Sequence, residues 1–151
     1  MIALNEKSQF VLIDMQEKLA SAMPNEVINK IIRRTELLVT LATNLDIPQI
    51  YTEQYPKGLG STLEKVKPLL SEASYVEKKV FACTDEPIFN RYLIRTRPQV
   101  FLAGMEAHIC VLQTALGLLN AGKEVFIIED AVVSRNITNK QNALNRLRNA
   151  G

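Results

Sequence analysis

Short β-rich apolar runs alternate with longer stretches of helical spacing, and that alternation limits what this 151-residue chain can fold into. The runs are Phe10-Val-Leu-Ile13, Ile47-Pro-Gln-Ile-Tyr51, a weaker Tyr75-Val76, Val100-Phe-Leu-Ala103 and Glu124-Val-Phe-Ile-Ile128. Several are continuously apolar, as strands covered on both faces are. Between the first two, Ile28, Ile31, Ile32, Leu38, Leu41, Ala42 and Leu45 recur near helical spacing behind Pro24-Asn25, with Asn25 as the expected cap. Further helices are predicted over roughly 87–96 and 107–120, the second stopped by Gly122, while 53–61 reads as a loop because it holds Pro56, Gly58 and Gly60. Strand and helix in alternation predict an α/β fold, a three-layer doubly wound and mostly parallel sheet with helices on both faces. In such a fold ligand sites lie at the carboxyl ends of the strands. The length suits one core, and no repeat or linker divides residues 1–151, so one domain is expected.

Composition removes several functions. Eighteen basic and sixteen acidic residues are spread along the chain without a basic stripe, so nucleic-acid binding is not expected. The first residues lack the basic region and long apolar core of a signal peptide, and no apolar run has bilayer length. The expectation is a soluble cytoplasmic protein with no membrane contact. Two cysteines, Cys83 and Cys110, are then expected reduced, and with one histidine and no Cys-x-x-Cys spacing neither a metal site nor a cofactor is expected. Glycine-rich phosphate loops are missing too, which sets a nucleotide-binding reading last.

Three strand ends carry chemistry. Asp14 follows Ile13 directly, and a charge closing a buried strand is costly unless paired or useful; the alternative is a carboxylate that caps the turn Met15-Gln16-Glu17. Lys78 and Lys79 follow the third run, where solvated surface lysines are the ordinary alternative. Cys110 lies past Gly104, where a strand hands over to a helix. Backbone N–H groups and the positive end of the helix dipole there favour a thiolate, so a lowered pKa is expected, against the plainer reading of a buried packing cysteine. Acid or base, cation and thiol form a working set for covalent acyl transfer if the three ends converge.

Five segments in order, Leu12-Ile-Asp-Met-Gln16, Thr52-Glu-Gln-Tyr-Pro-Lys-Gly-Leu-Gly60, Glu77-Lys-Lys-Val-Phe81, Leu102-Ala-Gly-Met-Glu-Ala-His-Ile-Cys-Val111 and Glu129-Asp-Ala-Val-Val-Ser-Arg135, carry a resemblance. Through them the chain resembles the isochorismatase-like cysteine hydrolases, and most of all the isochorismatase domain-containing subgroup. The resemblance implies the Rossmann-like isochorismatase fold and an Asp–Lys–Cys triad at Asp14, Lys78 and Cys110; Lys78 is chosen over Lys79 because Phe81 stands three residues after it. It also implies a non-proline cis peptide at Met105–Glu106 that turns backbone N–H groups, those of Glu106 and Cys110, towards an oxyanion. Gln54, Tyr55, Phe81 and His108 are expected to border a substrate pocket, His108 as a helix-start residue rather than a proton shuttle; for Gln54 and Tyr55 an ordinary surface loop is the alternative.

The implied activity is cysteine-dependent hydrolysis of a small amide-like substrate through a thioester, with C–N cleavage favoured because the cysteine is present. A non-catalytic scaffold or interaction subunit that keeps the fold is the alternative. Family members assemble as dimers, tetramers or larger rings, so a homo-oligomer acting on a small molecule is expected. Members also continue with a further strand and helix beyond the Arg146–Gly151 region, so a truncated sheet is expected, with its edge exposed or completed by a neighbouring subunit.

Overall fold

The computed structural model describes residues 2–151. Five strands, β1 (Ser8–Ile13), β2 (Gln49–Gln54), β3 (Ser74–Lys78), β4 (Gln99–Met105) and β5 (Glu124–Val133), form one sheet in the order β3-β2-β1-β4-β5. Every pairing is parallel. Helices α1 (Glu17–Ser21), α2 (Asn25–Asn44), α3 (Pro56–Leu59), α4 (Pro87–Tyr92), α5 (Leu112–Asn120) and α6 (Ile137–Ala150) connect or follow them.

Strand alternation divides the core in two. Val11, Ile13, Ile50, Val76, Val100 and Leu102 pack on one face with Phe89 of α4, Leu112, Ala115 and Leu118 of α5 and Leu144 and Leu147 of α6. Phe10, Leu12, Ala103 and Met105 point the other way, onto α2. In α2 the buried positions Ile28, Ile31, Thr35, Val39 and Ala42 recur at steps of three and four, which draws one stripe along the helix. Each large aliphatic side chain so covered contributes about 1.5–3 kcal/mol.

Several local expectations shift. Pro24, not Asn25, caps α2: the N–H groups of Val27 and Ile28 both donate to the Pro24 carbonyl at 3.0 Å, and Asn25 is the first helical residue. The second strand starts after Pro48, which has no N–H for the ladder, and runs through polar Thr52 to Gln54 because pairing with β3 continues to Gln54–Lys78. The expected loop at 53–61 therefore holds a strand end and the short helix α3. Helix α4 stops at Tyr92, since the Ile94 N–H is taken at 3.0 Å by Oε1 of the buried Gln9. The helix expected from 107 begins instead with a π turn, Ala107–Val111, before α5.

Gly104 brings the two central strand ends together. It sits at φ +120°, and a Cβ there would lie 1.9 Å from the Ile13 carbonyl oxygen. Only glycine permits that approach, which seats the turn after β4 beside the residue after β1.

Candidate active site

The chain direction of a parallel sheet puts the ends of β1, β2, β3 and β4 side by side, and four of their residues meet below the surface. Asp14 follows β1 at φ +50°, a left-handed conformation tolerated by aspartate, and its side chain is inaccessible. Lys78 closes β3. In that strand Val76 and Lys78 are buried while Tyr75 and Glu77 are exposed, so the lysine shares the inward phase of the strand; Lys79 points to solvent.

The Lys78 ammonium lies 2.7 Å from Asp14 Oδ2 and 2.7 Å from Gln54 Oε1, and its remaining donation goes to the carbonyls of Phe81 (3.2 Å) and Val80 (3.3 Å). Burial works to lower its pKa, but the Asp14 charge and the two neighbouring cysteines outweigh this and hold it above the ordinary lysine value. The ammonium is therefore a fixed charge, with its three protons committed.

Cys110 sits in the π turn, 6% exposed, with Asp14 and Lys78 as its charged neighbours. The N–H groups of Ile109 and Val111 both donate to the Glu106 carbonyl, at 3.1 and 3.3 Å, across the cysteine. The expected lowering of its pKa is not found. Burial, then the Asp14 carboxylate, push the thiol up to about 12 against the pull of Lys78. Desolvation and a like charge outweigh the helix terminus, so the resting sulfur holds its proton next to a carboxylate that can accept it. Cys83, in the 3-10 turn Cys83–Asp85, is fully buried and is pushed up to about 11, again by burial first.

The turn is anchored from β5. Its entry peptide, Met105–Glu106, is cis. The buried Glu106 carboxylate accepts the Arg135 backbone N–H at 3.0 Å and pairs with the Arg135 guanidinium at 3.1 Å. His108 Nδ1 lies 2.9 Å from Ser134 Oγ, which ties the histidine to the same strand exit and leaves it half-buried.

Gln54 has its side chain on Lys78 and Phe81 meets the same ammonium through its backbone carbonyl, while the Tyr55 and Phe81 side chains stand 49% and 55% exposed. Composition and spacing gave no warning of three supporting residues. Thr52 Oγ1 lies 2.6 Å from Asp14 Oδ1. Gln16 accepts the Gln54 N–H at 2.7 Å and donates to the carbonyls of Gln54 and Gly60, tying β2 to the loop beyond it. Glu53 accepts from the Thr62 N–H (2.7 Å), the Thr62 hydroxyl (2.8 Å) and the Tyr75 hydroxyl (2.9 Å), pinning the far end of that loop. Glu53 and Gln16 stand inside segments that carry the family resemblance, but a polar residue on a strand gives no signal of its partner in advance.

The isochorismatase domain model matches residues 8–151, nearly the whole chain. The chain belongs to the isochorismatase family. Isochorismatase family protein 1B of Dictyostelium discoideum is 32% identical over 151 residues, covering 97% of this chain and 72% of that protein. This family member spans 50% of the length of isochorismatase domain-containing protein 1 of Danio rerio, to which it is 38% identical over 146 residues. Among solved structures, one described as the MAR1 ribonuclease of Caenorhabditis elegans superposes with a TM-score of 0.89 at 37% identity, covering 97% of this chain and 75% of its own. The YcaC gene product of Escherichia coli, described as an octameric hydrolase of unknown specificity, superposes at 0.90 with 24% identity over 97% of this chain and 74% of its own, a likeness of fold. The isochorismatase-like hydrolase fold is thus established, with helices on both faces of a parallel sheet. Among the described residues no helix is long and apolar enough to cross a membrane, and no three metal-binding side chains cluster.

Proposed function

We propose that this isochorismatase-family chain is a cysteine hydrolase that cleaves a small amide-like substrate through a thioester on Cys110. The reading rests on one observation: the Cys110 thiol stands beside a buried carboxylate–ammonium pair, Asp14 and Lys78, at the strand ends. In the acylation step Asp14 takes the thiol proton as the sulfur forms a bond to the carbonyl carbon, giving a tetrahedral oxyanion. Backbone N–H groups of Glu106 and Cys110 receive that oxygen. The C–N bond then breaks as Asp14 hands its proton to the departing amine. A water attacks the thioester while the same carboxylate takes its proton, the C–S bond breaks to release the acid, and that proton returns to the Cys110 sulfur. Lys78 acts through its fixed charge, which offsets the negative charge passing between thiol, carboxylate and oxyanion. Gln54, Tyr55, Phe81 and His108 form the rim that selects the substrate.

Both cysteines are free thiols, which suits a reducing compartment such as the cytoplasm. The reading includes self-association: Val27, Leu37 and Leu41 of α2 and Leu45 just after it are exposed, and burial against a second copy would cover them. Sedimentation as a monomer at micromolar concentration would remove that part.

The deciding experiment incubates the protein with a panel of small amides, ureas and vinyl ethers and examines intact mass during turnover. An acyl adduct on the Cys110 peptide, with activity lost in Cys110→Ala, is the expected result. Turnover retained by Cys110→Ala excludes the covalent route. RNA belongs in the panel because the C. elegans neighbour is described as a ribonuclease; RNA cleavage that survives Cys110→Ala would replace the proposal.

A further inference from the structure

Asp14 is enclosed by groups from every element around it: Lys78 of β3 on Oδ2, Thr52 of β2 on Oδ1, Cys83 from the turn after β3 and Cys110 from the turn after β4. Gln54, also of β2, meets the site through Lys78. The contact with Thr52 is reciprocal. Thr52 Oγ1 accepts the Asp14 backbone N–H at 3.2 Å and lies 2.6 Å from Oδ1, and both residues are all but fully buried. An N–H only donates, so the single hydroxyl proton of Thr52 goes to the carboxylate. The Asp14 N–H has a second acceptor in the Thr52 carbonyl, also at 3.2 Å, so the backbone contact survives loss of the hydroxyl.

We infer that Thr52 is a positioning residue for Asp14: its hydroxyl donates to the carboxylate and fixes its rotation, so that the carboxylate stays aimed at the Cys110 thiol. The inference rests on the reading of Asp14 as the acceptor of the Cys110 proton. A hydrogen bond to an ionised group changes its protonation equilibrium by about one pH unit, and Lys78 occupies the other oxygen, so the hydroxyl adjusts a charge that the ion pair has already made stable. Valine has nearly the shape of threonine without the donor, and serine keeps the donor without the methyl group.

The test is the pH dependence of Cys110 alkylation by iodoacetamide, followed peptide by peptide by mass spectrometry in wild type, Thr52→Val, Thr52→Ser and Asp14→Asn. Wild type should show an acid limb that Asp14→Asn lacks. Thr52→Val should move that limb up by about one pH unit, so alkylation below it slows by about tenfold, and Thr52→Ser should restore the wild-type position. A Thr52→Val limb that coincides with wild type, or a Thr52→Ser limb displaced as far as that of Thr52→Val, overturns the role of Thr52 while leaving Asp14 as base. An acid limb that persists unchanged in Asp14→Asn removes the base itself. Should Thr52→Val fail to fold, Thr52→Ala must give the same upward displacement, and Thr52→Ser alone refutes the inference if its limb moves.

Discussion

Lys78 Nζ and Asp14 Oδ2 lie 2.7 Å apart with neither side chain accessible to solvent. Such a pair is costly to desolvate and is a weak source of net stability, but each partner makes the other tolerable. Removing one leaves an uncompensated buried charge. Lys78→Met and Asp14→Asn are each expected to destabilise the protein by about 3–5 kcal/mol, and the double variant by clearly less than the sum. Urea unfolding of the four proteins closes the cycle; strict additivity would mean that the pair is not coupled.

The two thiols should separate by access rather than by acidity. Both are protonated at neutral pH, with Cys110 held up to about 12 and Cys83 to about 11, yet Cys83 is fully buried while Cys110 keeps 6% of its surface. Iodoacetamide at pH 7.5 is expected to modify Cys110 before Cys83. Faster modification of Cys83 would count against an activated nucleophile at 110, and strong thiolate absorbance near 240 nm at pH 7.5 would contradict the raised pKa values.

The pH limits of stability follow from the same groups. The thiols have folded-state pKa values raised above the unfolded ones, so their contribution is complete below about pH 8.5, the ordinary cysteine value, and is lost as pH climbs towards 11 and 12. Glu53 works in the opposite sense. Burial would raise its pKa, but the Thr62 N–H, the Thr62 hydroxyl, the Tyr75 hydroxyl and the Lys67 charge together lower it, so its contribution is present above about pH 4.3 and is lost as pH falls through the folded-state value. Thermal melts from pH 3 to 11 should show both declines, with Cys83→Ala/Cys110→Ala flattening the alkaline one and Glu53→Gln the acid one.

Gly104 has no substitute. Gly104→Ala places a methyl group 1.9 Å from a backbone oxygen that no rotamer can clear, at a φ that L side chains rarely adopt. A loss above about 4 kcal/mol is expected, measured by chemical denaturation; a loss below about 1 kcal/mol would mean that the two strand ends separate easily.

Much of the frame could be read from the chain because continuous apolar runs mark strands covered on both faces; four of the five runs lie wholly on strands and the second overlaps β2 from Gln49 to Tyr51. Ile28, Ile31 and Ala42 marked the inward stripe of α2 for the same reason. Lys78 was open to direct reading as well: it stands two residues after Val76 in a strand where alternate positions turn inward. The protonation of Cys110 was not, because the helix-terminus argument weighs one local field, whereas burial and the charge of Asp14 come from elements far away in sequence. Thr52, Gln16 and Glu53 stayed hidden for a similar reason. Their roles depend on register between strands, and one threonine on a strand looks like any other until Asp14 is set beside it.

The π turn at Ala107–Val111 also keeps two phases in one helix. Its hydrogen bond from Val111 to Glu106 encloses one residue more than an α turn does. Each residue of an α-helix advances about 100° around the axis, so deleting one residue between 107 and 111 would turn Cys110 against Leu112, Ala115 and Leu118 by about that angle. Either the thiol would face Asp14 or the apolar stripe would face the sheet, but not both. The widened turn lets the reacting group and the core-facing side of α5 be set independently, so a one-residue deletion there should cost more than most substitutions.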